Sequence, residues 1–128
     1  NDVFEGSMTY KIKGTGAYLT LVEAIGPARY YRAWISDRLD GKWTPLPDAN
    51  TWEKPFAGIA NVTFDDGVKP WTRDISHGEL IRDGYDETLT IDPGNLQLLY
   101  QGRDPAIDAR YDQLPYRLAL LRPDPSMK

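Results

Sequence analysis

In "MTYKIKGTGAYLTLVEAI", residues 8–25, apolar and polar side chains alternate on both sides of a "GTG" break. Met8, Tyr10 and Ile12 alternate with Thr9, Lys11 and Lys13, the period-two pattern of a half-buried strand. After Gly16, Leu19 and Leu21 fall on one face and Tyr18, Thr20 and Val22 on the other. Two strands this close in sequence, with glycines between them, predict an antiparallel hairpin.

The same pattern extends outward. "RYYRAWISD" (29–37) sets Tyr31, Ala33 and Ile35 against Tyr30, Arg32 and Trp34. "LDGKWTPL" (39–46) turns on Asp40-Gly41 into a short edge-like strand stopped by Pro45. A second, looser cycle follows. "PFAGIANVTF" (55–64) reads as a loop running into a strand, and "SHGELIRDG" (76–84) and "ETLTIDP" (87–93) as two strands joined by a turn at Gly84. "NLQLLYQGRD" (95–104) places Leu96, Leu98 and Tyr100 on one face. "PYRLALLRP" (115–123) places Tyr116, Leu118 and Leu120 against Arg117, Ala119 and Leu121, with Leu118, Leu120 and Tyr100 expected to be buried. No segment has a convincing helical period, and "DPAIDARYDQL" (104–114) offers one short turn at most. The pattern predicts an all-β protein of antiparallel four-stranded units, the spacing of propeller blades.

Composition narrows the function. A chain of 128 residues fits one domain. Its formal charge is −4, and the 15 Lys and Arg are scattered along the sequence. No basic face of the kind that holds nucleic acid is in view. No apolar run approaches the ~20 residues that cross a bilayer. The chain begins at Asn1 with no apolar leader, the expectation for a processed, trimmed or excerpted polypeptide. There is no cysteine, so neither disulfides nor thiolate metal sites arise. The excess is aromatic, with four Trp, eight Tyr and three Phe. Trp34, Trp43, Trp52 and Trp71 are expected to pack within the sheets.

The single histidine, His77, stands in "DISHGELIRDGYDETLTID" (74–92) with Glu79, Asp83, Asp86, Glu87 and Asp92 close behind. The stretch alone leaves a metal ligand, a catalytic base, a substrate contact and a buried spacer open. The acids do not follow the D-x-D-x-D-G spacing of an EF-hand loop.

Taken in order, "NDVFEGSMTYKIKGTGAYLTLVEAIG", "RYYRAWISDRLDGKWTPL", "PFAGIANVTF", "DISHGELIRDGYDETLTIDPGNLQLLYQGRDP" and "YDQLPYRLALL" resemble successive segments of glycoside hydrolase family 62. Those enzymes are α-L-arabinofuranosidases that remove arabinose side chains from arabinoxylan. The resemblance implies a five-bladed β-propeller with a pocket at its axis. Residues 1–128 would form the C-terminal portion of that catalytic domain, about two of its blades. It assigns the general acid of an inverting hydrolysis to Glu5, with the base and a pKa-setting aspartate on blades upstream. Asp2 is expected to be solvated rather than the second carboxylate. The resemblance further implies a calcium ion near the axis with His77 beside it, as ligand or as substrate contact. Tyr111 and Asp112 match a pair that contacts the xylan backbone, Asp112 standing where the family usually has Asn. Tyr100, Gln101 and Arg103 are expected on the same side. The implied partners are arabinoxylan or arabinoxylo-oligosaccharides, and a complementary N-terminal fragment or a second copy; nucleic acid and membrane are not among them. The implied setting is secreted and extracellular. A non-catalytic carbohydrate-binding or split-propeller module is the alternative.

Overall fold

The computed structural model describes residues 2–127. Its strands are β1 (Val3–Ile12), β2 (Tyr18–Ile25), β3 (Arg29–Ser36), β4 (Thr44–Pro45), β5 (Ser76–Leu80), β6 (Thr90–Ile91), β7 (Leu98–Gly102) and β8 (Arg117–Leu121). Among the described residues they form two sheets, ordered β4-β3-β2-β1-β6 and β5-β7-β8. No α-helix occurs among the described residues. Short 3-10 turns cover Tyr111–Gln113 and Pro125–Met127, the first within the segment expected to supply one turn. Among the described residues no helix is long and apolar enough to cross a membrane.

The opening hairpin forms as expected, and its register sets Met8 opposite Leu21 and Tyr10 opposite Leu19. Gly14 and Gly16 take φ of +81° and +71°, a region that glycine enters without steric penalty. The alternation then sorts side chains by face. Tyr10, Leu19, Leu21, Tyr31 and Ala33 of the first sheet pack with Leu80, Leu98 and Tyr100 of the second and with Ile75 just before it. One core is thus shared by both sheets. Each fully buried side chain of Leu21's size contributes roughly 1.5–3 kcal/mol.

Three expectations give way. Residues 55–64 do not form a strand. Phe56 and Ala57 exchange backbone hydrogen bonds with Tyr31, and the Asn61 side chain then closes a loop by accepting from Gly58 N and donating to the Pro55 carbonyl. Such local side-chain bonds compete with a strand ladder.

The hairpin expected around Gly84 is also absent. β6 runs parallel to β1, with Lys11 opposite Thr90 and Ile12 opposite Ile91, while β5 pairs with β7. The loop between is held by its own polar groups: Asp83 accepts from Lys13 at 2.6 Å, and Asp86 from Thr88 N and Oγ1. Burial of Ile91 against the shared core anchors the segment to the first sheet.

In β8 the buried face is the opposite of the expected one. Leu118 and Leu120 are 70% and 46% exposed; Ala119 and Leu121 pack on the core. The register sets this, because Ala119 lies opposite Tyr100 and Leu121 opposite Leu98, and paired residues share a face. Tyr100 is buried, as expected.

Candidate active site

β5 breaks its own ladder. A register shift separates Ser76 from Glu79, and within it His77 takes φ +38°, an uncommon conformation for a side-chain-bearing residue. The bulge turns backbone N–H groups toward the first sheet, where side chains receive them. His77 N donates to Glu23 Oε1 at 2.6 Å, Gly78 N to Tyr31 Oη at 2.6 Å and Leu80 N to Tyr10 Oη at 3.0 Å. Three side chains of β1, β2 and β3 thereby do for β5 what a neighbouring strand would do. Burial pushes the Tyr10 phenol up to about 12. Tyr31 is pushed up further, by burial first and by the nearby Glu23 carboxylate in smaller measure.

Glu23 continues the Leu19, Leu21 phase of β2 and is therefore aimed at the core, with a fully buried side chain. An ionised carboxylate in that position is tolerable only with its lone pairs engaged. Oε1 accepts from His77 N, Ser76 Oγ (3.0 Å) and Tyr31 Oη (3.5 Å), and Oε2 accepts from Arg29 Nη1 at 2.8 Å. Sequence reasoning passed over this residue. The signal was the acid at the buried phase of "LTLVE".

Glu5, on β1, is registered directly opposite Glu23. Like charges across a strand pair repel, and a cation lies between them: Arg29 Nη1 is 3.6 Å from Glu5 Oε1 as well as 2.8 Å from Glu23. The guanidinium also lies over the Phe4 ring, 4.3 Å from its centroid. His77 Nδ1 stands 3.6 Å from Glu5 and 3.7 Å from Glu23. Unlike Glu23, Glu5 is 40% exposed, and no hydrogen bond among the described residues holds its carboxylate.

Glu5, Arg29 and His77 line one wall of an open pocket of about 340 Å³. Glu5, His77 and Tyr111 all line it, from β1, β5 and the turn before β8, and Gln101 and Arg103 join them. Tyr100 is buried and does not line it. Asp112 does not line the pocket; its carboxylate is taken by Arg110 at 3.1 and 2.6 Å. Asp2 is not free in solvent as expected, but ion-paired with Arg32. The tryptophans lie elsewhere, Trp52 edge-on to Tyr30 and Trp71 against Phe64 and under Arg117. The other lining carboxylate, Asp74, accepts from Arg29 N at 3.0 Å.

Ligand atoms of Glu5, Glu23 and His77 lie within 4.8 Å of one another. This trio is not a calcium cage. Calcium takes roughly six to eight oxygens, both Glu23 oxygens already accept donors, and the Arg29 guanidinium supplies the positive charge between the carboxylates. What the trio leaves open is the Glu5 carboxylate and the other ring nitrogen of His77, far short of that oxygen shell.

The sequence profile of glycosyl hydrolase family 62 matches residues 1–122. The chain belongs to that family. It is 48% identical over 121 residues to α-L-arabinofuranosidase C of Cellvibrio japonicus, an alignment covering 94% of this chain and 19% of that protein. Among solved structures, the catalytic domain of a Coprinopsis cinerea GH62 α-L-arabinofuranosidase superposes with a TM-score of 0.87 at 48% identity, covering 94% of this chain and 37% of that one. The Podospora anserina α-L-arabinofuranosidase, solved with cellotriose, gives 0.85 at 47%, covering 95% and 38%. A GH62 hydrolase solved with xylotriose gives 0.86 at 48%, covering 94% and 38%. The family-62 chain thus spans well under half of these relatives, and its two sheets are about two blades of their propeller-type fold. They depart from the four-stranded expectation in opposite directions, one gaining β6 and the other holding three strands.

Proposed function

We propose that this chain carries the acid side of an inverting α-L-arabinofuranosidase site that removes arabinose side chains from arabinoxylan or arabinoxylo-oligosaccharides. The observation that carries the reading is Glu5, a half-exposed carboxyl at the pocket wall with Arg29 and His77 beside it. As general acid, Glu5 would give its proton to the glycosidic oxygen as the bond to the arabinose anomeric carbon breaks. A second carboxylate would take a proton from the water attacking the opposite face of the ring. In inverting enzymes these two groups stand ~6.5–9.5 Å apart. As the resemblance to family 62 implies, base and pKa-setting aspartate are assigned to segments outside residues 1–128, which would then be the C-terminal portion of the domain.

Tyr111, 82% exposed at the pocket, is a face on which a xylose ring can stack. Asp112 would accept a sugar hydroxyl from beyond the rim on releasing Arg110, and His77 would contact the sugar within the pocket. Relatives solved with xylotriose and cellotriose favour a chain-like glycan along this side. A polymeric substrate also favours a secreted, extracellular setting. A structural calcium ion beside His77 remains part of the proposal, with this chain contributing one ligand to it. Calcium titration would then raise the melting temperature of the full-length protein and not of its His77→Ala variant; equal shifts would remove the ion from the site. The second reading, a carbohydrate-binding or split-propeller module active only with a complementary fragment, is favoured by the short coverage of the relatives.

The test is Glu5→Gln in the full-length protein. The amide retains shape but cannot donate the proton, and acid catalysis contributes ~10²–10⁴-fold. Turnover of arabinoxylan should fall by that factor with binding nearly intact. Aryl arabinofuranosides, whose leaving groups need less protonation, should lose less. Equal loss on both substrates contradicts the assignment.

A further inference from the structure

We infer that Glu23 is the positioning residue of this pocket, acting through Arg29 and the His77 backbone on Glu5. The inference rests on the reading of Glu5 as the acid and goes beyond it. Glu23 is buried and never meets the pocket, so it is no sugar contact. Its two oxygens divide their work. Oε1 gathers Ser76 and the His77 amide, fixing the bulge that projects the imidazole beside Glu5. Oε2 holds one nitrogen of the Arg29 fork, and that same Nη1 faces Glu5.

Geometry makes Glu23 the common anchor. Arg29 begins β3 and His77 lies in β5, in different sheets, and both reach Glu5 only from points tied to one carboxylate on β2. Arg29 is tied a second time through its backbone, with its N–H on Asp74 and its carbonyl accepting from Ile75 N. Its side chain therefore has a fixed root, and Glu23 sets the direction of its tip. A bidentate-capable fork is suited to holding two carboxylates at once. Gln at position 23 would preserve volume and one acceptor. It would lose the charge that holds the guanidinium and place an amide donor against donors already there.

The experiment uses the full-length protein carrying this chain, as wild type, Glu23→Gln, Arg29→Lys and the double variant. Glu23→Gln is expected to lower kcat on arabinoxylan ~10–100-fold, the scale of an ångström-sized misplacement, with KM changed less than about threefold. Because Glu23 acts through Arg29, the double variant should be no worse than the poorer single one, where independent roles would multiply. A folded Glu23→Gln with wild-type kcat, or losses that multiply, overturns the inference. Should Glu23→Gln fail to fold, Arg29→Lys decides by the same kcat-against-KM split, since it keeps the cation and loses the fork. A crystal structure of the folded variant gives a readout free of activity. The Arg29 tip is expected to move by about 1 Å or more relative to Glu5, and an unmoved guanidinium overturns the inference. If the wild-type protein releases no arabinose, or Glu5→Gln leaves release intact, the proposed function fails instead, and the crystallographic separation alone decides the role of Glu23.

Discussion

Glu5 and Glu23 are the same residue type at paired positions on adjacent strands, yet one is half-exposed and the other fully buried. The difference is one of partners: Glu23 has four donors within reach, whereas Glu5 has only charges at 3.6 Å. That contrast suits Glu5 to meeting a ligand and Glu23 to holding the wall. Tyr111 supplies a second prediction at this scale. Tyr111→Ala should raise KM for arabinoxylan by roughly threefold to tenfold, the worth of one aromatic contact. KM for an aryl arabinofuranoside, which has no xylan backbone, should be unchanged. Equal effects in steady-state kinetics on the two substrates would contradict a rim role. The placement of Glu5, His77 and Tyr111 at one pocket was legible from the sequence, through resemblance and order. Glu23 was not, because acids are by default exposed, and the partners that permit its burial come from positions as distant as 76 and 77. Asp112 was legible as a neighbour of Tyr111, but not its capture by Arg110 two residues away.

At the scale of elements, the junction of β5 with the first sheet rests on tyrosine hydroxyls, which gives it a pH dependence. The Tyr10 phenol is raised to about 12 from an ordinary 10.0, chiefly by burial. The folded state therefore holds this proton more tightly than the unfolded chain. Its contribution to stability is complete below pH 10 and is lost as pH rises from 10 toward 12. Circular dichroism against pH should show unfolding in that window together with tyrosinate absorbance, and Tyr10→Phe should weaken the dependence. Tyrosinate appearing without loss of structure would contradict the account. Gly78 is the second element-level test. A Cβ there would lie 2.6 Å from the Leu99 carbonyl oxygen, a backbone atom of the neighbouring strand. Gly78→Ala should cost about 1–3 kcal/mol in denaturant unfolding; a neutral effect would mean that β5 and β7 approach less closely. The hairpin of β1 and β2 was legible because its alternation is unbroken on both sides of the glycines. The inner face of β8 was not, since "YRLALL" offers apolar residues in both phases. Only its register with Leu98 and Tyr100 decides between them. β6 was misassigned because two residues carry no period, and its parallel partner precedes it by nearly eighty positions.

Across the whole molecule, two sheets share one core but leave apolar surface open, including Leu118, Leu120 and Leu99 on the β5-β7-β8 sheet. Uncovered sheet faces and edges invite association. Sedimentation of the isolated chain should show concentration-dependent self-association, diminished by Leu118→Lys; a monomer at all concentrations would mean that these leucines are content in water. The fold class was legible because strand period and turn residues recur through the chain. How the sheets join was not, because Tyr10, Glu23 and Tyr31 reach β5 through side chains that no period reveals. The most direct test of the central claim, that this chain supplies the acid side of a site completed elsewhere, is arabinose release from arabinoxylan. It would be measured with the 128-residue chain alone and after mixing with the upstream segment of the same protein. The account expects no release by either piece, release by the mixture, and loss of that release with Glu5→Gln. Turnover by the chain alone that scales with its concentration, or an active mixture indifferent to Glu5→Gln, would contradict it.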